Sequence, residues 1–343
     1  MNLESYTTAK NSVGWRVYPT DVVVARGNDR LDLLQRLTTN DVSKLTGGSP
    51  SGEETRGFGV QNVLLTDKAR IIDVFTVLAR PNDVLMLFSD GFGAKAVEWL
   101  DKYTFIDDFQ TQTLTPNYAS ILLFGPRSLQ LLEELGQKEA SLNDLRIGSW
   151  QHLTLNSSSM QSVEVIVVRQ QQLCEFCYLV LVPQEAHGMV LAALRGLNNV
   201  AEIDDETFEI LRIEAAWGKH GAEWTDERNP LEAGLVGLVD FKKGCYIGQE
   251  VIARLDTYNK VKVRLSGVRS DVPIPVNARF FDEADGKRTD IGGVTSSTFS
   301  PDLNKHIALA YIRSAFANPG ANIHAASEGY EAKLEIVKLP FVM

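Results

Sequence analysis

The chain has 343 residues, long for one ordinary core, so two or three domains are expected. With 44% hydrophobic and 23% charged residues and no low-complexity tract, the composition is globular and excludes a fibrous or disordered chain. There are 34 basic and 44 acidic residues, and the formal charge of −10 argues against nucleic acid or an anionic membrane as partner.

The opening MNLESYTTAK lacks the apolar run of a signal peptide, and no later run reaches membrane-spanning length. Asn28 or Asp29 can cap a predicted helix with Leu31, Leu34 and Leu37 at helical spacing. That helix leads into Thr38-Thr39-Asn40-Asp41-Val42 and then a loop, GGSPSG, at 47–52. Strands are predicted at 57–65, 71–79 and 84–88, joined by the tight turns TDKA and RPND into an antiparallel meander. A helix is predicted over about 93–103, then a strand in ASILLFGP and a helix in RSLQLLEEL.

Strands at 150–155, 162–169 and 173–182, followed by a helix over 184–196, repeat the earlier strand-strand-strand-helix order. A further helix is predicted over 205–217, with Phe208, Leu211 and Ala215 on one face. Beyond Lys260 short strands alternate with turn residues, including an Asp285-Gly286 hairpin signal, which predicts a small barrel-like domain. The expected organisation is α+β: a first block over 1–116, a second over 117–255 and a β-barrel over 260–343.

Few motifs carry chemistry. GFGAKA at 91–96 matches a G-x-G-x-x-A dinucleotide variant, but the antiparallel meander before it fits a plain strand-to-helix turn better. Cys174 and Cys177 form C-x-x-C inside a predicted strand, where residues three apart face opposite ways, so two packing cysteines and no metal site are expected. Three cysteines in all make no disulfide scaffold, cannot ligate a four-cysteine cluster, and fit a reducing cytoplasm, the expected location. There is neither a G-x-S-x-G elbow nor a P-loop.

Cys245 lies in Lys242-Lys243-Gly244-Cys245-Tyr246-Ile247-Gly248-Gln249-Glu250. If a helix begins near Ile247, its positive end and the two lysines favour a reactive thiolate, with Gly244 and Gly248 freeing the backbone around it. A buried, inert cysteine fits the same spacing, which leaves both readings open.

Several stretches together resemble the superfamily of the glycine-cleavage T-protein, a tetrahydrofolate-dependent aminomethyltransferase. They are LLQRLTTNDV (33–42), LRIEAAWGKHGAE (211–223), GGVTSSTFSPDLNKHIALAYI (292–312) and the closing KLPF (338–341). The run K-G-C-Y-x-G-Q-E resembles the hallmark of one branch, the YgfZ family, whose members bind folate and support iron–sulfur cluster assembly or repair. The resemblance implies α+β domains in a ring around a central channel, plus a C-terminal β-barrel.

It also implies a site. In T-proteins a glutamate that holds the pterin precedes a Val-Pro pair. Alignment on Val182-Pro183 puts Glu175 at that glutamate and Arg169 at a neighbouring arginine, with Gln171 and Cys174 replacing two glycines. A carboxylate there can accept paired N–H bonds from the pterin. The T-protein catalytic run G-x-I-x-D-D-L corresponds to Arg70-Ile71-Ile72-Asp73-Val74-Phe75, so Val74 replaces one acid, which counts against aminomethyl transfer. On this resemblance Cys245 and Asp73 are the expected catalytic residues, and Glu175, Arg169, Lys243, Tyr246 and Arg212 the expected contacts to tetrahydrofolate or a one-carbon derivative.

The leading expectation is a folate-binding accessory protein with iron–sulfur client or assembly proteins as partners. The alternative is a true aminomethyltransferase. A folate-free scaffold is the third reading.

Overall fold

In a computed structural model, the structure describes residues 1–45, 55–136, 142–157, 160–284 and 287–342. The chain forms two compact units. Unit 1 comprises Met1–Leu65, Ile72–Thr207 and Leu238–Ile247, and unit 2 comprises Thr66–Ile71, Phe208–Gly237 and Gly248–Met343. The first two blocks expected from the sequence thus fall largely in one unit, while 208–237 and 248–255 group with the barrel.

Unit 1 opens with α1 (Leu3–Asn11), β1 (Val13–Val17), β2 (Thr20–Arg26) and α2 (Arg30–Leu37). Next come β3 (Arg56–Gly57), β4 (Gly59–Leu65), β5 (Ile71–Ala79), β6 (Val84–Ser89), α3 (Gly93–Asp101) and β7 (Gln110–Thr113). The remainder is β8 (Tyr118–Phe124), α4 (Ser128–Leu135), β9 (Trp150–Ser157), β10 (Met160–Gln170), β11 (Cys177–Pro183), α5 (His187–Arg195) and β12 (Val200–Glu202), while α6 (Asp205–Glu214) belongs to unit 2 from Phe208 onward. Two sheets result, one of seven strands in the order β12-β1-β8-β11-β10-β9-β3 and one of five in the order β4-β5-β6-β2-β7.

The meander is present, and its apolar runs explain it. All nine residues of β5 are buried, so both faces of this strand are covered. Phe75 stacks on Phe88 at 4.7 Å between ring centroids. Leu33, Leu34 and Leu37 of α2 fall at helical spacing and pack on the same core as Ala96 and Leu100 of α3. Full burial of each such leucine contributes about 1.5–3 kcal/mol. The seven-stranded sheet has its own core, with Trp15, Leu123, Val165 and Tyr178 packed beside Leu131 and Leu132 of α4 and Val190 and Leu194 of α5.

The predicted strand over 57–65 is divided between the two sheets. Arg56 and Gly57 pair with Gln151 and Trp150 of β9, whereas β4 joins the five-stranded sheet. The strand predicted from 173 starts at Cys177, because the chain turns back between β10 and β11. The helix predicted over 205–217 ends at Glu214, two residues before Ala216 takes a left-handed φ of 58°. Elements beyond the sequence expectations are α1, β1, β2, β7 and the short β12.

Unit 2 contains α7 (Gln249–Thr257), β13 (Val263–Ser270), β14 (Arg279–Ala284), β15 (Lys287–Ser300), β16 (Lys305–Arg313), β17 (Asn322–Ser327) and β18 (Tyr330–Val337). These six strands close into a barrel in the order β13-β16-β15-β14-β17-β18, as the short, turn-divided strands predicted. Its core is built from Val268, Phe280, Ile291, Ala308, Ala310, Ile312, Leu334 and their neighbours. Asp285-Gly286 and the GGSPSG loop lie outside the described residues. Among the described residues no helix is long and apolar enough to cross a membrane.

Candidate functional site

Two stretches from opposite ends of unit 1's sequence are stitched together where α2 ends. Thr38 leaves the helix in an extended conformation, its backbone N–H still bonded to the Leu34 carbonyl. Thr39, fully buried, donates its hydroxyl to the Leu238 carbonyl at 2.6 Å and accepts the Val63 N–H at 3.2 Å. Asn62 on β4 accepts the Asn40 N–H at 2.7 Å. From the other stretch, the Asp240 N–H reaches the Thr39 carbonyl at 3.0 Å and the Ile247 N–H reaches the Arg36 carbonyl at 2.8 Å. Asp240 shapes its own turn by accepting the N–H groups of Lys242 and Lys243 at 2.7 and 3.1 Å.

Lys243 closes this crossing. Its ammonium donates to the carbonyls of Thr38 and Asn40, both at 2.8 Å, and lies 5.2 Å from the centroid of the Tyr246 ring. Burial pushes the lysine pKa down to about 8, against the pull of Asp41 and Asp240. Tyr246 is buried as well, and burial, reinforced by Asp240, pushes its hydroxyl up to about 12, so it stays a neutral donor. Nearby, Asp41 resists its own partial burial: the Lys44 ammonium and the Ser43 hydroxyl and N–H hold its carboxyl well below the usual range.

Cys245 stands exposed between Gly244 and Tyr246. The helix after it begins at Gln249 rather than near Ile247, because Gly248 takes a left-handed φ of 80° as its cap. A Cβ at Gly248 would also sit 3.0 Å from the Ala69 Cα, so this glycine is needed on two counts. Gly244 is not constrained in this way; a Cβ there meets nothing within 4 Å.

Arg169 and Glu175 come together at the loop between β10 and β11. The Arg169 guanidinium donates to the Leu145 carbonyl at 2.7 Å and to the Glu175 carbonyl at 3.4 Å, while its buried Nε has no partner. Glu175 itself is exposed, and among the described residues its carboxylate makes no ion pair. A separate hydrogen-bonded run leads to Lys243 from Gln170, whose side chain leaves β10 on the face opposite Arg169. Gln61 donates to Gln170, the neighbour of Arg169, at 2.7 Å; the Asn40 amide donates to the Gln61 carbonyl at 3.0 Å; the Asn40 carbonyl accepts Lys243. Gln170 in turn reaches Thr76 on β5 at 3.3 Å.

The other two expected site residues are placed differently. Asp73 has no exposed surface; its carboxylate accepts the Val74 N–H at 2.7 Å, the Ser89 N–H at 2.9 Å and the Ser89 hydroxyl at 2.8 Å. It fastens β5 to the end of β6, so the expected catalytic role has no accessible carboxylate to carry it. Arg212 sits in unit 2 with all five guanidinium N–H groups engaged. Nε and Nη2 form a fork on Glu209, Nη1 reaches Glu223 at 3.2 Å and the Trp217 carbonyl at 3.1 Å, and Nη2 reaches Ser296 at 2.8 Å. No donor remains for a cofactor. Arg212 pins α6 to the barrel strand β15.

Thr39, Gln61, Asn62, Thr76, Gln170 and Asp240 are the residues that sequence reasoning missed. A signal existed for two of them, since Gln61-Asn62 interrupts the apolar run of β4.

The comparisons agree with this architecture. Residues 19–243 match the model of the GCVT N-terminal domain, and 260–342 match the glycine cleavage T-protein C-terminal barrel domain. A putative chloroplastic transferase of Arabidopsis thaliana is 28% identical over 301 residues; the match takes in 87% of this chain but 64% of that protein's length. An aminomethyltransferase of Halothermothrix orenii is 26% identical over 354 residues, covering 99% of this chain and 91% of its own. The crystal structure of glycine cleavage system aminomethyltransferase T from Bartonella henselae superposes with a TM-score of 0.81 at 21% identity, over 99% of this chain and 89% of that one, a likeness of fold. With both domain models matched in order along the sequence, the chain belongs to the glycine-cleavage T-protein family.

Proposed function

We propose that the protein binds a reduced folate in unit 1 and takes part in folate-dependent aminomethyl transfer. The observation that carries this reading is the hydrogen-bonded run from Gln170 through Gln61 and Asn40 to Lys243. It supports one site made from stretches far apart in sequence. The transfer activity draws its support from relatives named aminomethyltransferase in Listeria monocytogenes and Halothermothrix orenii, which favour it over the iron–sulfur accessory role.

The residues fit a pterin. The exposed Glu175 carboxylate can accept its amino and ring N–H groups, with Arg169 holding the Glu175 carbonyl from behind. Tyr246 can act as a neutral donor. Lys243 has a third N–H beyond the two given to carbonyls, and with a pKa of about 8 it can gain or lose a proton near physiological pH. Tetrahydrofolate supplies the amine nitrogens that carry a one-carbon unit. The protein binds, orients and moves protons around them.

A second reading, a YgfZ-type folate-binding accessory protein for iron–sulfur enzymes, is favoured by one observation. Asp73 is enclosed by Ser89 and followed by the apolar Val74, so that strand offers no accessible acid. Titration with tetrahydrofolate, followed by an assay for methylene-tetrahydrofolate formed from an aminomethyl-lipoyl carrier protein, separates the two. Binding with product formation supports transfer, and binding without product moves the protein to the second reading. Absence of saturable folate binding defeats both.

A further inference from the structure

Unit 2 carries a half-open cavity of about 350 Å³ along the barrel strands β15 and β16, within the size range of small-molecule pockets, roughly 300–1,000 Å³. In a chain of net charge −10 its lining is cationic: Arg228, Arg279 and Arg313 face it with Asp290 as the one lining acid.

The three arginines differ in what they hold. Arg279 is closed on Asp290 by two hydrogen bonds, 2.9 and 2.8 Å, so that pair cancels. Arg228 lies over the Tyr311 ring, its guanidinium carbon 4.1 Å from the centroid, and among the described residues it forms no ion pair. Tyr311 is itself fixed, its hydroxyl donating to the Glu223 carbonyl at 2.7 Å. Arg313 is exposed at the end of β16, and among the described residues it too forms no ion pair. The nearby acids are satisfied elsewhere. The Glu223 carboxylate is taken by Arg212, Thr295 and Ser296, and Glu232 lies 3.7 Å from Arg70.

Two uncompensated guanidinium groups, one of them lying over an aromatic ring, therefore meet one cavity. A guanidinium fork matches the planar or tetrahedral oxygens of a carboxylate or phosphate, and the ring contact adds a cation–π attraction that holds Arg228 in place. Val263, Ile291 and Val294 supply apolar lining, so the cavity suits a carbon body rather than a bare inorganic ion. Gly293 keeps the lining thin, because a Cβ there would lie 2.6 Å from the Arg279 guanidinium.

We propose that this cavity binds a small organic anion, whose carboxylate or phosphate group is gripped by Arg228 and Arg313 and whose carbon body rests on the apolar wall. The site is separate from the folate reading, and its residues all belong to unit 2.

Isothermal titration of the full chain at low salt, with succinate, citrate, glycerol 3-phosphate and inorganic phosphate as probes, tests it. One-site saturable binding of an organic acid is expected, and the carboxylate and phosphate arms show which oxyanion is preferred. Arg313→Gln and Arg228→Gln should each weaken it by about tenfold, the scale of a lost charge-assisted hydrogen bond. Arg269→Gln, at an exposed barrel arginine paired with Glu335 away from the cavity, should leave binding unchanged. Because Arg313 is exposed, its variant reports even if loss of Arg228 disturbs folding. No saturable heat with any probe overturns the proposal. So does binding that survives in the double variant, or binding that tetrahydrofolate abolishes.

Discussion

Arg212 in unit 2 and Lys243 in unit 1 are both buried cations, held in opposite ways. Arg212 faces two carboxylates and has every N–H engaged. Lys243 gives two of its N–H groups to neutral carbonyls, and Asp41 and Asp240 act on it only through space. The contrast separates a staple from a candidate binding group. A cation neutralised by carboxylates with its donors saturated is fixed in charge and geometry. One surrounded by carbonyl dipoles keeps a depressed pKa and a spare donor.

The largest effect should come from Arg212→Met, which leaves Glu223 buried without its cation. Breaking a buried pair in this way costs about 3–5 kcal/mol, readable by urea denaturation. If Arg212 were a ligand contact instead, stability would change little and folate affinity would fall.

Lys243→Met should be milder. Two carbonyls lose a donor, at about 1–3 kcal/mol each if they stay dry, but removal of a desolvated charge offsets part of this. The pH dependence sharpens the comparison. The folded-state pKa of about 8 lies below the ordinary 10.5, so between these values the unfolded chain holds more protons and stability rises with pH. The wild type should gain stability relative to Lys243→Met across that window. A difference that stays flat from pH 8 to 10.5 would show that Lys243 is not buried as a titrating cation.

Glu175→Ala should leave stability unchanged, since the side chain is exposed and unpaired. It should weaken tetrahydrofolate binding by on the order of 1–3 kcal/mol, the cost of a lost charge-assisted partner. Unchanged affinity in the folded variant removes Glu175 from the site.

The smallest effect is an ordering of rates. Cys177 is fully buried, and burial pushes its thiol above the range of ordinary cysteines; burial of the sulfur also raises the Cys174 thiol, which donates to the Phe176 carbonyl. Cys245 is exposed and should alkylate first near neutral pH, with bound folate slowing it. Mass spectrometry of each cysteine across pH checks this, and Cys245 as the slowest of the three ends the reactive-thiol idea.

The sequence by itself determined the elements whose cause is local. The meander of β4, β5 and β6 comes from apolar runs between tight turns, α2 from leucines at helical spacing, and the barrel from short strands divided by turn residues. Lys243, Tyr246, Arg169 and Glu175 were marked only through the resemblance to the T-protein family, by their place beside its motifs. Tertiary structure alone decided which of the marked residues are closed off by partners. Arg212 and Asp73 carry the right chemistry, yet partners supplied by distant segments close them, Glu223 and Ser296 for one and Ser89 for the other. The acceptors that bind Lys243 are main-chain carbonyls of Thr38 and Asn40, some 200 residues away in sequence. Every residue has such a carbonyl, so no pattern of side chains can announce that these two would turn toward a lysine.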